Sequence, residues 1–367
     1  MKKFISVFLL ICLLLGLVAC GQKEETLETP PTTEPVVTEP APTEPEPTEP
    51  VVTEPAYRHP LTGEGLDAPW TGRPSSVSLG NTKKAMPQHG VNQAALIYEA
   101  EVEGSSTRIM AVFGDVQDLQ PIGPIRSART FFNNISESMD SVIFHAGGSV
   151  RGRNGYYDLT GGKIKDWEHI NALYGSTSNY FYRDKDRRNQ GYNLEHTMFT
   201  NGEKMQKALE KKEYIKVNEG GTVTGLNFVA DFPLTGATAN KVTVEFKAGK
   251  QSVFTYDATT GLYSASQYKA DWIDGNTGEV QKFKNLVILK ADQKTKSDGE
   301  YPRSYYTLLG EGTGWIAIDG QMAEITWTRA ELQDPFVYTL ADGTAVSFEP
   351  GRTYTAITDA KTPVVSE

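Results

Sequence analysis

Cysteine is almost missing from this chain. Its two cysteines, Cys12 and Cys20, both fall within the first twenty residues, so the body that follows can hold neither a disulfide nor a cysteine-based zinc site. Stability must then come from an apolar core, and the 310 residues from Arg58 to Glu367 are ample for two domains of ordinary size. Histidine is scarce as well. His59, His89, His145, His169 and His196 show no close ligand spacing of the His-x-x-x-His kind, so no metal and no cofactor is expected. P-loop, dinucleotide and nucleophile-elbow signatures are missing too. Gly310-Glu311-Gly312-Thr313-Gly314 is rich in glycine but has no helix after it and reads as a turn between strands.

An excess of basic charge is also lacking. The formal net charge is −10. Lys2 and Lys3 contribute +2, and the stretch from Gly21 to Tyr57, with nine glutamates and one lysine, contributes −8, which leaves −4 for Arg58 to Glu367. Such a body has no long-range field for nucleic acid. Its arginines are nevertheless uneven: Arg108, Arg126, Arg129, Arg151, Arg153, Arg183, Arg187 and Arg188 are eight of thirteen. That clustering points to a local anion site.

What is present begins at the N terminus. Met1-Lys2-Lys3, an apolar run from Phe4 to Leu17 and then Leu17-Val18-Ala19-Cys20 form a lipoprotein signal: a basic segment, an apolar stretch too short for a comfortable transmembrane helix, and a small residue before the cysteine to be lipidated. Residues 21–57 carry Thr-Glu-Pro at Thr33, Thr38, Thr43, Thr48 and Thr53. Proline excludes helix and central strand, the glutamates repel one another, and no large apolar residue recurs, so the tract is expected to be a disordered spacer. At about 3.1 Å per residue, about 35 such residues reach up to about 100 Å from a bilayer. The expected location is the extracytoplasmic face of a bacterial cell membrane.

The body reads as α+β. Residues 58–215 are expected to form an N-terminal α/β domain with a small mixed sheet, and residues 222–360 a mostly antiparallel β domain. In the first, 77–79 and 94–102 read as strands, the latter alternating with Leu96, Tyr98, Ala100 and Val102 on one side and Glu99, Glu101 and Glu103 on the other. Residues 107–113 complete a hairpin through Gly104, 127–138 have helical spacing, 141–144 form a brief strand, and 202–212 a helix. Between Gly147 and Gly191 periodicity vanishes, which suits a site wall or lid bearing Tyr156, Tyr157, Tyr180 and Tyr182. The second domain alternates short strands, among them 262–272 and 345–348, with turns such as Asp319-Gly320 and Asp342-Gly343.

Chemistry concentrates at Arg108 and in Ile122-Gly123-Pro124-Ile125-Arg126-Ser127-Ala128-Arg129. A strand delivers the first arginine, and a Gly-Pro bend opens a helix that Ser127 is placed to cap, with Arg126 and Arg129 near its first turn. Guanidiniums and free helix N–H groups together suit phosphate or carboxylate. The competing reading pairs these arginines with Glu99, Glu101 and Glu103 in a structural ladder. His145 ends a strand just before Gly147-Gly148, a position where sites gather, but the reading favoured for it is a satisfied core histidine.

Arg73-Pro74, Asn81, Pro87-Gln88-His89-Gly90, Tyr98-Glu99, Glu103-Gly104, Thr107-Arg108, the Gly-Pro-Ile-Arg-Ser-Ala-Arg string and His145-Ala146-Gly147-Gly148-Ser149 resemble, in order and spacing, the YerB-like bacterial lipoproteins. Asn285-Leu286-Val287-Ile288, the turn from Gly310 to Trp315, Ile325-Thr326-Trp327 and Pro350-Gly351 are similar to that family's C-terminal domain. The resemblance implies a signal peptide, a tether and two domains of unknown function, with no established reaction. The chain departs from the pattern near Asn193, where the resemblance implies a proline and Tyr192 stands instead.

Two functions follow as expectations. The first is a tethered protein that binds an anionic envelope ligand or an envelope partner through Arg108, Arg126, Ser127 and Arg129. The second is an envelope hydrolase or transferase acting on a phosphate-bearing glycan or lipid-linked precursor, with Glu99 or Glu103 as base and His145 as acid.

Overall fold

A strand that alternates apolar and polar residues exposes its polar side only if nothing covers it. Here something does. The computed structural model describes residues 54–148, 168–173, 175–214, 224–297 and 302–367. The signal, Cys20, nearly all of the spacer, and Ser149, Arg151, Arg153, Tyr156 and Tyr157 lie outside the described residues. Strands β1 (Ser75–Asn81), β2 (Leu96–Glu101) and β3 (Thr107–Phe113) are buried at every position. Glu99 and Glu101, on the side read as polar, are therefore interior groups.

The remaining strands used below are β4 (Val142–His145), β5 (His169–Asn171), β6 (Lys241–Glu245), β7 (Gln251–Asp257), β8 (Leu262–Gln267), β9 (Asn285–Lys290), β10 (Gly310–Ile318), β11 (Gln321–Arg329) and β12 (Thr353–Thr358). The helices are α1 (Thr130–Ser138), α2 (Lys185–Asn189) and α3 (Gly202–Lys211).

Among the described residues one sheet of eleven strands runs through both halves of the sequence, in the order Ala237–Thr238, β11, β10, β9, β12, β2, β3, β1, β4, β5, with Val337–Leu340 pairing to β11. β12 joins the halves, since it lies between β9 and β2 and is parallel to both. A second, antiparallel sheet contains Ala270–Asp271, β8, β7, β6 and Val364–Ser366, with Lys282–Phe283 also on β8. The protein is thus sheet-rich with few helices, and the small N-terminal mixed sheet expected from the sequence is part of this larger one.

Both faces of the large sheet are covered. On one, Val77, Ile97, Ile109, Ala111, Leu286 and Tyr354 meet Val242, Phe254, Trp272 and Phe283 of the second sheet region, and α3 adds Met205, Ala208 and Leu209. On the other, Leu96, Tyr98, Met110 and Val112 meet Phe131, Phe132 and Ile135 of α1, together with Phe336, Tyr338 and Phe348. Residues 53–367 accordingly form one compact unit.

Several local expectations change. Gly310–Ile318 is strand throughout, not a turn. A Cβ at Gly312 would lie 2.4 Å from the Trp327 ring and one at Gly314 2.1 Å from the Ile288 carbonyl oxygen, so these glycines serve close packing inside the sheet. The run 262–272 breaks at Tyr268 and Lys269, whose φ values of 54° and 64° make a two-residue hairpin turn. Residues 345–348 form only isolated bridges, at Ala345 and Phe348.

Candidate functional site

The Gly-Pro-Ile-Arg-Ser-Ala-Arg string is laid along the sheet by its backbone before any helix begins. Gly80 N–H donates to the Pro124 carbonyl at 2.9 Å, Arg126 N–H to Ser78 at 2.8 Å, Ile125 N–H to Met198 at 2.7 Å and Ala146 N–H to Arg126 at 2.9 Å. Gly123 is required because a Cβ there would sit 2.6 Å from the Phe199 ring. Helix α1 starts only at Thr130, with Arg129 as an extended N-cap that makes no side-chain cap bond. The expected Ser127 cap and first-turn Arg126 are therefore corrected: both belong to the extended segment, which its sheet bonds hold out of the helix.

That placement gathers the arginines. The Ser127 carbonyl accepts from Arg108 Nη1 at 2.7 Å, Ser78 Oγ at 3.0 Å and Arg129 Nη1 at 3.3 Å. Glu103, on the β2–β3 turn where Gly104 has φ 68°, accepts from Arg129 Nε at 3.0 Å and lies 3.0 Å from Arg303 and 3.8 Å from Arg108. Burial pushes the Glu103 carboxyl up, but Arg129 and Arg108 outweigh it and hold it down at about 2. Arg108 is lowered well below the ordinary guanidinium range by burial and by Arg129, with Arg126 and Arg303 adding to this and Glu103 opposing it. Its Nε is buried and has no hydrogen-bond partner among the described residues.

Arg126 turns the other way, to Glu195 Oε2 at 2.7 Å. It lines a cleft of about 190 Å³ with Ser127, Ala146, Leu173, Arg183 and Glu195. Arg183 is lowered by partial burial and by the charges of Arg188 and Arg126. The lining thus carries two guanidiniums against one carboxylate. Sequence reasoning counts Arg183 among the clustered arginines but does not place it beside Arg126, and it misses Glu195, because both approaches span dozens of residues and leave no local pattern. Tyr192, where the resemblance implies a proline nearby, donates its hydroxyl to the Met86 carbonyl at 3.0 Å and stacks under Arg187 at 4.7 Å.

Glu99 is on the opposite face. It is fully buried, pairs with Lys250, and accepts from Asn81 Nδ2 at 2.8 Å, Ser252 Oγ at 2.8 Å and Tyr354 Oη at 2.7 Å. Glu99 and Arg108 therefore do not meet.

His145 closes β4 and His169 opens the neighbouring β5, their rings joined Nε2 to Nδ1 at 3.0 Å, and His145 Nδ1 lies 2.6 Å from the Gly147 carbonyl. A carbonyl only accepts, so His145 carries its proton on Nδ1 and its Nε2 accepts from His169. Burial, the His169 charge and an opposing Gly147 bond leave His145 at about 3, and burial and Lys212 leave His169 at about 4. His145 is thus a neutral core histidine at pH 7, not the protonated acid considered above. Because both folded values lie below the ordinary 6.5, the unfolded chain takes protons first as pH falls. Stability is unaffected above about pH 6.5 and lost below it, by about 1.4 kcal/mol per pH unit per histidine. In urea unfolding from pH 6.5 to 4.5, His145→Gln is expected to remove about that much of the slope. An unchanged slope would mean that His145 titrates freely in the folded state.

Among the described residues no His, Cys, Asp and Glu group is arranged to hold a metal, and no helix is long and apolar enough to cross a membrane. The chain is 26% identical over 361 residues to YerB of Bacillus subtilis (strain 168), named as a lipoprotein, with 96% of this chain and 95% of that one aligned. Its fold matches the crystal structure of Bacillus subtilis YerB with a TM-score of 0.69 at 25% identity, covering 84% of this chain and 99% of the other. Family models for the N-terminal and C-terminal domains of a protein of unknown function, DUF3048, match residues 61–215 and 242–355. The first match contains the arginine string and its cleft, the second the strands that complete the sheet beneath them, and together they make this chain a member of the DUF3048 family.

Proposed function

We propose that this protein is anchored through a lipid on Cys20 to the extracytoplasmic face of the cell membrane and that its folded body holds an anionic envelope ligand, or an anionic segment of an envelope partner, in the Arg126–Arg183 cleft. The observation that carries this reading is the lining of that cleft, two guanidiniums to one carboxylate beside Ser127. Behind it, Arg108 keeps an unpartnered buried Nε. An anion entering between Arg126 and Arg183 relieves their mutual repulsion and gains bidentate contacts. A similar protein is named as a lipoprotein, in keeping with the signal at residues 1–20 and the acidic spacer that follows.

Binding is favoured over catalysis because the groups considered as acid and base are committed elsewhere. Glu99 is tied to Lys250, Glu103 is held at about 2 by its arginines, and His145 is neutral. A general base or acid needs a value near the working pH.

The test is a thermal-shift series at low ionic strength with phosphate, pyrophosphate and chloride. Pyrophosphate at millimolar concentration is expected to raise the melting temperature by several degrees, and Arg126→Ala combined with Arg183→Ala to abolish the shift while the variant stays folded. A parent protein that none of the anions stabilises contradicts the proposal, as does an unfolded double variant, which would make the arginines structural.

A further inference from the structure

A second cleft, of about 270 Å³, lies between the loop at Met86-Pro87 and the hairpin formed by β8 and Ala270–Asp271. It approaches the small end of the range for ligand pockets. Trp272, Tyr268, Met86 and Pro87 give it mainly apolar walls. Gln267 is the exception. It is 4% exposed, it lines the cleft, and among the described residues neither its amide nitrogen nor its amide oxygen has a hydrogen-bond partner. Gln88, by contrast, donates to Gly80 and Asn81 and accepts from Trp272 Nε1 at 2.7 Å, and the buried Gln281 accepts from Arg352 Nη2 at 3.0 Å and leaves only its amide nitrogen without a partner among the described residues. A buried amide with nothing bonded to it destabilises the fold relative to an apolar side chain of the same shape.

The edge of the hairpin offers a matching pair of groups. Gln267 is opposite Ala270 and Ser266 opposite Asp271, and Trp272 N–H donates to the Ala265 carbonyl at 2.9 Å. Alternation along an antiparallel ladder then turns the Asp271 N–H and C=O away from β8. Ala270–Asp271 is the outermost strand of its sheet, with no further strand beside it among the described residues. An open strand edge pairs with another extended chain.

We infer that this cleft binds an extended peptide segment, which pairs its backbone with Asp271, meets the Gln267 amide with the N–H and C=O of one of its residues and places an apolar side chain against Trp272 and Pro87. An extended peptide fits because the N–H and C=O of one of its residues point to the same side, one donor and one acceptor together, as the Gln267 amide requires. The terminal torsion of a glutamine is soft, so the amide turns toward an arriving partner at little cost. The site is independent of the arginine cleft.

The test uses the intact chain and the capped tripeptide acetyl-Val-Leu-Val-amide as probe, followed through the Gln267 side-chain amide and the Asp271 backbone amide by nuclear magnetic resonance. Saturable shifts of both signals are expected. Gln267→Met is expected to raise the melting temperature by about 2–4 °C, because it removes an unbonded buried amide, while weakening the probe about tenfold. Asp271→Pro, which removes an N–H outside the ladder together with an exposed carboxylate side chain, is expected to weaken the probe and keep the fold. Unmoved Gln267 and Asp271 signals overturn the inference. So does Gln267→Met binding the probe as the parent does, which would make the amide a structural group only.

Discussion

Glu103→Gln is expected to cost about 3–5 kcal/mol of unfolding free energy, the usual effect of leaving buried cations without their carboxylate, and to make the remaining stability depend on added anion. The variant keeps the shape of the side chain but removes its charge and turns one acceptor oxygen into a donor. Arg129 and Arg108, whose side chains are 4% and 6% exposed, are left facing each other, Arg303 and the Arg126 charge. Phosphate or pyrophosphate then stabilises Glu103→Gln more than the parent, since binding to the folded state alone adds to stability by mass action. The pH dependence carries the same signature. The Glu103 carboxyl falls from 4.5 to about 2 on folding, so its contribution is fully present above pH 4.5 and lost as pH falls toward 2, about 3 kcal/mol in all. Glu103→Gln lacks that component. Urea midpoints for parent and variant between pH 7 and pH 2.5, with and without phosphate, check both points, and a variant within 0.5 kcal/mol of the parent at pH 7 would refute the ion-pair account.

The second large effect belongs to the opposite face of the sheet. Lys250→Met is expected to destabilise by about 3–5 kcal/mol because it strands the Glu99 carboxylate in the interior. Asn81, Ser252 and Tyr354 continue to donate to it, but none neutralises it. Burial opposes the charge on Lys250, and Glu99 supports it. Adding Glu99→Gln to Lys250→Met is expected to recover most of the loss, so a double-mutant cycle in urea returns a coupling of several kcal/mol. Simple addition of the two single effects would mean that the pair is not a unit. Lys250 and Ser252 come from the second sheet region and Glu99, Asn81 and Tyr354 from the large sheet, so the same cycle measures how firmly the layers are joined.

Strands and helices set by local pattern were legible in the sequence. Thr107–Phe113 and Gly202–Lys211 lie where alternation and helical spacing place them. Long-range pairing was not legible. Alternation in β2 marks Glu99 and Glu101 as one face, but only the distant β7 decides that this face is covered. The glycines of 310–314 read as a turn because composition carries no record of the Trp327 ring and Ile288 carbonyl that require them. Likewise β12 lies parallel between β9 and β2, a crossover that a run of short strands does not announce. At the site, the sequence brought Arg108, Arg126, Ser127 and Arg129 together and found Glu103 as a partner. It did not separate Glu99 from them or bring in Arg183 and Glu195. The Arg126–Glu195 contact joins residues 69 positions apart, and nothing in either neighbourhood encodes it.

The most direct test of the central claim is a calorimetric titration of pyrophosphate into the purified protein at low and at moderate salt, with the Arg126→Ala, Arg183→Ala variant alongside. The account predicts saturable binding that weakens as salt rises and that disappears in the folded variant. No binding to the folded parent at low salt, or equal binding to both proteins, would contradict it.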